Sequence, residues 1–266
     1  GEDAERLSWW YHDAAGRTEV FQGENACVSH KQGMSALTTA LAKGLDIYKA
    51  DPIAKVEYGL GGKQVTVTTR HNKSHTADAC IVTLPIGVLQ KEKDPVIFDP
   101  PLPAEKVQAI QRLGSATVNK VFLEFDRVFW PQQHYAFAYI DTDNFDDSSV
   151  SAGAVGMARD GKPAAYPRLL INYYRALGRP VLGVVCGGED GRRIELRTMD
   201  ENRDWVMRLV RRLFGPDSPM PKHVSATSWG TDPMSLGSVP CMPVGTRPDD
   251  VLVSKRNNHS LIIWLV

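Results

Sequence analysis

The 266-residue sequence lacks net charge, since 31 Lys and Arg are matched by 31 Asp and Glu. No global field therefore argues for a nucleic acid or an anionic membrane surface as partner. It lacks any C-x-x-C pair; Cys27, Cys80, Cys186 and Cys241 are far apart and read as reduced, structural thiols of an intracellular protein. No apolar run approaches the ~20 residues of a membrane span, so the chain reads as soluble. Sequons at Asn72 and Asn258 carry little meaning without a secretory signal. There is no G-x-S-x-G, H-E-x-x-H, P-loop or paired-carboxylate motif, which leaves simple hydrolase chemistry without a foothold. GLGGKQ at 59–64 has no third glycine at the right spacing and sits between two strand-like runs, so it reads as a hairpin turn rather than a phosphate loop. His71 and His75 fall in a polar turn with no third ligand nearby, and no metal is expected.

What is present is an alternation of helix and strand signals. MSALTTALAK (34–43) reads as a helix ended by Gly44, followed by strand-like LDIYKA, IAKVEYGL, KQVTVTTR and TADACIVTLPIG. The Pro-rich stretch 94–106 leads into a helix AEKVQAIQRL that Gly114 is expected to close. Residues 141–167, with Asp141, Asp143, Asp146 and Asp147, read as a long surface excursion. RLLINYYR and PVLGVVCGG read as paired strands around Gly178, and KHVSATSW as a further strand. Between them Thr198 and Glu201 have the spacing of a capping box, opening a helix whose apolar stripe is Trp205, Val206, Leu209, Val210, Leu213 and Phe214. Its arginines lie off that stripe and read as a solvated face. The first residue is Gly and the last are SLIIWLV, so the sequence reads as a piece of a longer chain.

The most informative stretch is GSATVNKVFLEFDRVFW (114–130). Strand alternation puts Val118, Lys120 and Phe122 on one face and Val121, Leu123 and Phe125 on the other, so both faces around Lys120 read as buried. Lysine is rarely buried unless paired. Either its stem lies along apolar surface with the ammonium reaching water, beside Glu124, or it belongs to a site.

Several segments, in order, resemble the flavin-containing amine oxidase family, in its branch of lysine-specific histone demethylases and polyamine oxidases: LSWWYHD, ALAKGLDI, ADACIVTLPIGVLQ, FDPPLPAEKVQAIQRLGSATVNKVFLEFDRVFW, VVCGGE and SWGTDPMSLGS. The resemblance implies a mixed α+β fold, with a partial FAD-binding domain and a substrate domain built on a mixed or antiparallel sheet. It divides the chain into 1–18 (substrate-domain segment), 19–115 (partial FAD-binding domain), 116–245 (substrate-binding domain) and 246–266 (return to the FAD-binding domain). It implies that Lys120 holds a water against the flavin, that Thr83, Leu84 and Pro85 pass along FAD, that Ile53 meets its adenine end and that Trp229 packs near its ring. Ile171 and Val239 fall in the substrate pocket. The implied reaction oxidises a polyamine or a methylated lysine with O2, in an intracellular and, by analogy, nuclear protein with chromatin partners.

The sequence departs from the family pattern at several points. It has no G-x-G-x-x-G unit for the FAD pyrophosphate, and SLIIWLV diverges from the family's closing strand. Val239 stands where the family has an aromatic wall around the substrate amine, and Met234 where the demethylases often have tryptophan. The acidic cluster used for basic peptides is thinned to Asp13 and Glu19. Weak FAD binding by these residues alone is one expectation. The alternative function is a non-catalytic, truncated paralogue serving as an interaction module.

Overall fold

A computed structural model describes residues 30, 32–59, 64–139, 168–255 and 261–263. The aromatic stretch 7–12, the Gly61–Gly62 turn, the 141–167 excursion with its aspartates, and Asn258 lie outside these residues.

The chain begins with α1 (Met34–Leu41), preceded by Gly33 at φ +57°, a conformation glycine adopts without steric cost. LDIYKA, expected as a strand, forms none, and Leu45, Ile47 and Tyr48 stay exposed. An extended segment is stable only against a neighbour, and none pairs with it among the described residues. Three strands rich in Val and Thr follow: β1 (Ile53–Glu57), β2 (Val65–Thr69) and β3 (Ser74–Ala77). Next come β4 (Cys80–Val82), the short helix α2 (Ile86–Leu89), β5 (Ile97–Asp99) and α3 (Ala104–Arg112). Gly114 does not close α3. The helix ends at an extended Leu113, and Gly114 opens β6 (Gly114–Ala116), at a point where a Cβ would lie 2.6 Å from the Cys241 sulfur.

The sheet elements continue with β7 (Val118–Glu124), β8 (Ala136–Tyr139), β9 (Arg168–Asn172), the short helix α4 (Tyr174–Leu177) and β10 (Val181–Gly187). A helix that the sequence reading did not anticipate, α5 (Gly188–Leu196), then precedes α6 (Met199–Phe214). Gly188 and Gly191 look like breakers, yet both are buried in the helix, and Gly188 takes φ +54°, a conformation glycine adopts without steric cost. The capping box of α6 is formed as expected. Glu201 N–H donates to Thr198 Oγ1 at 3.2 Å and Thr198 N–H donates to Glu201 Oε2 at 2.8 Å, an arrangement that contributes about 1 kcal/mol. The chain closes through β11 (His223–Ala226), β12 (Val239–Cys241), α7 (Asp250–Lys255) and β13 (Leu261–Ile263).

The chain forms two compact units, residues 1–118 with 228–266, and residues 119–227. In the first, β3-β2-β1-β5 make a four-stranded sheet with β1 and β5 parallel, β13 runs parallel to β4, and β12 pairs antiparallel with β6. Val56, Val65, Val82, Ile86, Ile110 and Leu261 are among its core. The second unit holds the five-stranded sheet β11-β7-β10-β9-β8. One face of that sheet, with Val121, Leu123, Phe125, Leu170, Leu182 and Val184, packs against Ile194 of α5 and the Trp205, Val206, Leu209 and Val210 stripe of α6. Each such side chain removed from water stabilises the unit by roughly 1.5–3 kcal/mol before entropy is counted.

Candidate active site

Strand β7 alternates as its sequence dictates, but its two faces are not equally covered. Asn119, Val121 and Leu123 are fully buried, whereas Val118, Lys120, Phe122 and Glu124 are half-buried. Lys120 therefore stands on a partly open apolar face, not in a closed core. Glu124 is not its partner: the Glu124 carboxylate accepts two 2.8 Å hydrogen bonds from Arg179 and lies 3.7 Å from Lys222. The Arg179 guanidinium holds its pKa below the ordinary value, with Lys222 and His223 adding to the effect. Among the described residues no hydrogen bond or ion pair engages the Lys120 ammonium.

Two residues on this face, Tyr173 and Gly183, escaped the sequence reading. The rings of Phe122 and Tyr173 meet at 5.5 Å and 59°, and both rest on Gly183, where a Cβ would lie 2.6 Å from Tyr173 and 3.2 Å from Phe122. The signal was a glycine inside the strand PVLGVV, which marks a close approach. Ile171, half-buried on β9, is the direct cross-strand partner of Gly183 and so shares its face.

In the other unit, Thr83, Leu84 and Pro85 follow the carboxyl end of β4 and run into α2; Thr83 is exposed and the other two are half-buried. Gly87 brings the 228–237 segment against this turn, since a Cβ there would lie 2.1 Å from the Leu236 carbonyl oxygen. That segment is tied internally. Gly237 N–H donates to the Trp229 carbonyl at 2.8 Å, Leu236 N–H to the Asp232 carbonyl at 2.9 Å, and Met234 N–H to Asp232 Oδ1 at 2.9 Å. Trp229 is 43% exposed. Val239 on β12, opposite Ala116 of β6, is exposed, as is Met234. Ile53 lies apart, half-buried in the four-stranded sheet at a bulge before Lys55.

An exposed indole and an apolar turn at the carboxyl end of a strand in a parallel pair fit a flat ring system, because open α/β sheets take their cofactors at such strand ends. No residues in the sequence form a G-x-G-x-x-G turn for a pyrophosphate. Among the described residues no cluster of His, Cys, Asp or Glu could hold a metal ion, and no helix is long and apolar enough to cross a membrane.

These features define a mixed α+β protein with a flavoenzyme-like layout. The chain belongs to the flavin containing amine oxidoreductase family, whose model matches residues 4–264. FAD is the cofactor that this membership implies. The chain is 35% identical over 219 residues to Polyamine oxidase 4 of Oryza sativa subsp. japonica, covering 82% of this chain and 39% of that protein. It is 31% identical over 238 residues to Lysine-specific histone demethylase 1 homolog 3 of Arabidopsis thaliana, covering 86% of this chain and 13% of that one. Among solved structures, Cyclohexylamine Oxidase from Brevibacterium oxydans IH-35A matches with a TM-score of 0.67 at 19% identity, over 87% of this chain and 46% of that chain, a likeness of fold. The chain thus spans less than half the length of these relatives.

Proposed function

We propose that the protein is an FAD-dependent amine oxidase acting on a polyamine or a methylated lysine. Bound FAD would take a hydride from the carbon bearing the amine, leaving an imine that water hydrolyses, and pass two electrons to O2, which leaves with two protons as H2O2. Lys120 would hold a water beside the ring and present positive charge where negative charge develops during reoxidation. Its half-buried, apolar surroundings strengthen that attraction relative to water. Thr83, Leu84, Pro85 and Trp229 would line the ring, with Ile53 toward the adenine. Ile171 and Val239 would face the substrate stem. The flavin side is assigned to 19–115 and 246–266, and the substrate side to 1–18 and 116–245.

The observation that carries this reading is the family match across residues 4–264 together with Lys120 on an apolar face, its ammonium without a partner among the described residues. Absence of a yellow flavin spectrum in the purified full-length protein would remove it. In the flavin-loaded protein, Lys120→Met is expected to slow reoxidation by roughly 100–1,000-fold, the scale of losing one electrostatic donor. An unchanged rate would strip the lysine of its role. Peroxide release with spermine against a dimethyl-lysine peptide separates the two substrates, and chromatin partners and a nuclear place go with the second. A non-catalytic interaction module is the second reading. It is favoured by Val239, 48% exposed, and Met234, 67% exposed, where an aromatic cage would supply cation-π attraction of ~0.5–2 kcal/mol.

A further inference from the structure

The hydrogen bonds around Lys120 assign a positioning role to Thr227 and Asn119, an inference that rests on the part proposed for Lys120. The register of β11 on β7 ends with Ala226 opposite Val121, which makes Thr227 and Lys120 the next pair. Thr227 N–H donates to the Lys120 carbonyl at 3.0 Å, as the ladder requires. The return bond is different: Lys120 N–H donates to the Thr227 hydroxyl at 2.9 Å. One residue thus holds both main-chain groups of the lysine, at the point where β11 ends.

The direction of each bond follows from donor chemistry. Asn119, fully buried, faces the Gly191 carbonyl at 3.0 Å, a group that only accepts, so its amide nitrogen points there and toward Glu195 Oε1 at 2.5 Å. Its oxygen therefore faces Thr227 and accepts the hydroxyl proton at 2.9 Å. A hydroxyl has one proton, so with that proton committed the oxygen can only accept from Lys120 N–H. The result is a relay from α5 through Asn119 and Thr227 to the Lys120 main chain. Packing alone does not call for it. Asn119 shares the face of Val121 and Leu123, where an apolar side chain would pack without the cost of burying an amide. What the relay does supply is a fixed Cα–Cβ direction for the side chain that leaves the opposite face of the strand.

The test compares Thr227→Val, Asn119→Leu, Thr227→Ser and Lys120→Met in the flavin-loaded protein. Thr227→Val and Asn119→Leu are expected to slow reoxidation about tenfold, as small misplacements of a reacting group do, while KM for the amine and the anaerobic reduction rate stay within about twofold. Thr227→Ser restores the rate. Independently of turnover, the flavin-free protein with 13C-methylated lysines is expected to show a displaced Lys120 signal in Thr227→Val, the signal being assigned by its loss in Lys120→Met. If Lys120→Met slows reoxidation but Thr227→Val changes neither that rate nor the signal, the positioning role falls and the lysine's role stands. Equal slowing of anaerobic reduction would show a merely structural part and overturn the inference. An unchanged rate in Lys120→Met would remove the reading beneath it.

Discussion

Lys106 on α3 and Lys120 on β7 are both basic side chains among apolar neighbours, and the molecule holds them in opposite ways. Lys106 is only 2% exposed, and its ammonium donates to the Ser254 carbonyl at 3.2 Å, near the C-terminal end of α7 where cations complete the helix. Beside it Arg112 grips Asp250 through three hydrogen bonds of 2.6 to 3.2 Å, tying α3 to α7. Lys120 is half-buried; its main chain is pinned, and its ammonium has no partner among the described residues. Burial of a charge thus does not mark a site by itself. The committed lysine serves a helix end, whereas Lys120, without a partner among the described residues, stands on a partly open apolar face where its proposed role would be exercised.

The sharpest way to break this comparison is at the α3–α7 clamp. Arg112→Met leaves the Asp250 carboxylate, whose side chain is 2% exposed, without its main cation, and is expected to lower stability in urea unfolding by more than the ~1 kcal/mol of a surface pair. Burial pushes the Asp250 pKa up, but hydrogen bonds from Arg112 and from the Arg247 N–H outweigh it and leave it lowered. A loss below about 1 kcal/mol, the range of a surface pair, would end the structural reading of this region. A smaller effect is expected on the Lys120 face. Gly183→Ala pushes a methyl against Tyr173 and Phe122, whose rings must shift, at about 1–2 kcal/mol. Because Ile171 lies opposite on the same sheet face, KM for the amine is expected to rise more than kcat falls; an unchanged KM would detach this aromatic floor from the substrate side.

Much of this was legible in the residues. The α6 stripe and its capping box, the β9/β10 pairing and the alternation of β7 all follow from local periodicity and side-chain chemistry, which act over a few residues. What was missed depends on partners distant in sequence. Gly114 looked like a helix stop, but its role is set by Cys241 on a strand far along the chain. LDIYKA has strand composition and no strand beside it among the described residues. The site residues divide the same way. Lys120 stood out because its own strand frames it, whereas Thr227 and Tyr173 acquire meaning only once the sheet aligns them with β7 and Gly183. Lys106 could have been found, since with Ala109, Ile110 and Leu113 it falls at i, i+3, i+4 and i+7, a charged residue within a helical stripe that is buried throughout.

That stripe leads to the smallest effect, which is read through pH. Desolvation lowers the Lys106 pKa, and the nearby Glu105 charge only partly offsets it. The unfolded chain therefore binds this proton more tightly than the folded one. The cost of keeping Lys106 charged is present at neutral pH and is relieved as pH rises through the lowered folded value toward ~10.4, so this group makes stability increase with pH across that window. Lys106→Met keeps most of the buried stem, removes the charge and loses the hydrogen bond to Ser254 among its contacts, so relief of the buried charge offsets part of the loss and the net change at pH 7 is expected to stay within about 1 kcal/mol. Urea midpoints taken between pH 7 and 10 should then rise less steeply in the variant than in the wild type. Parallel slopes would show that Lys106 is as well solvated as a surface lysine.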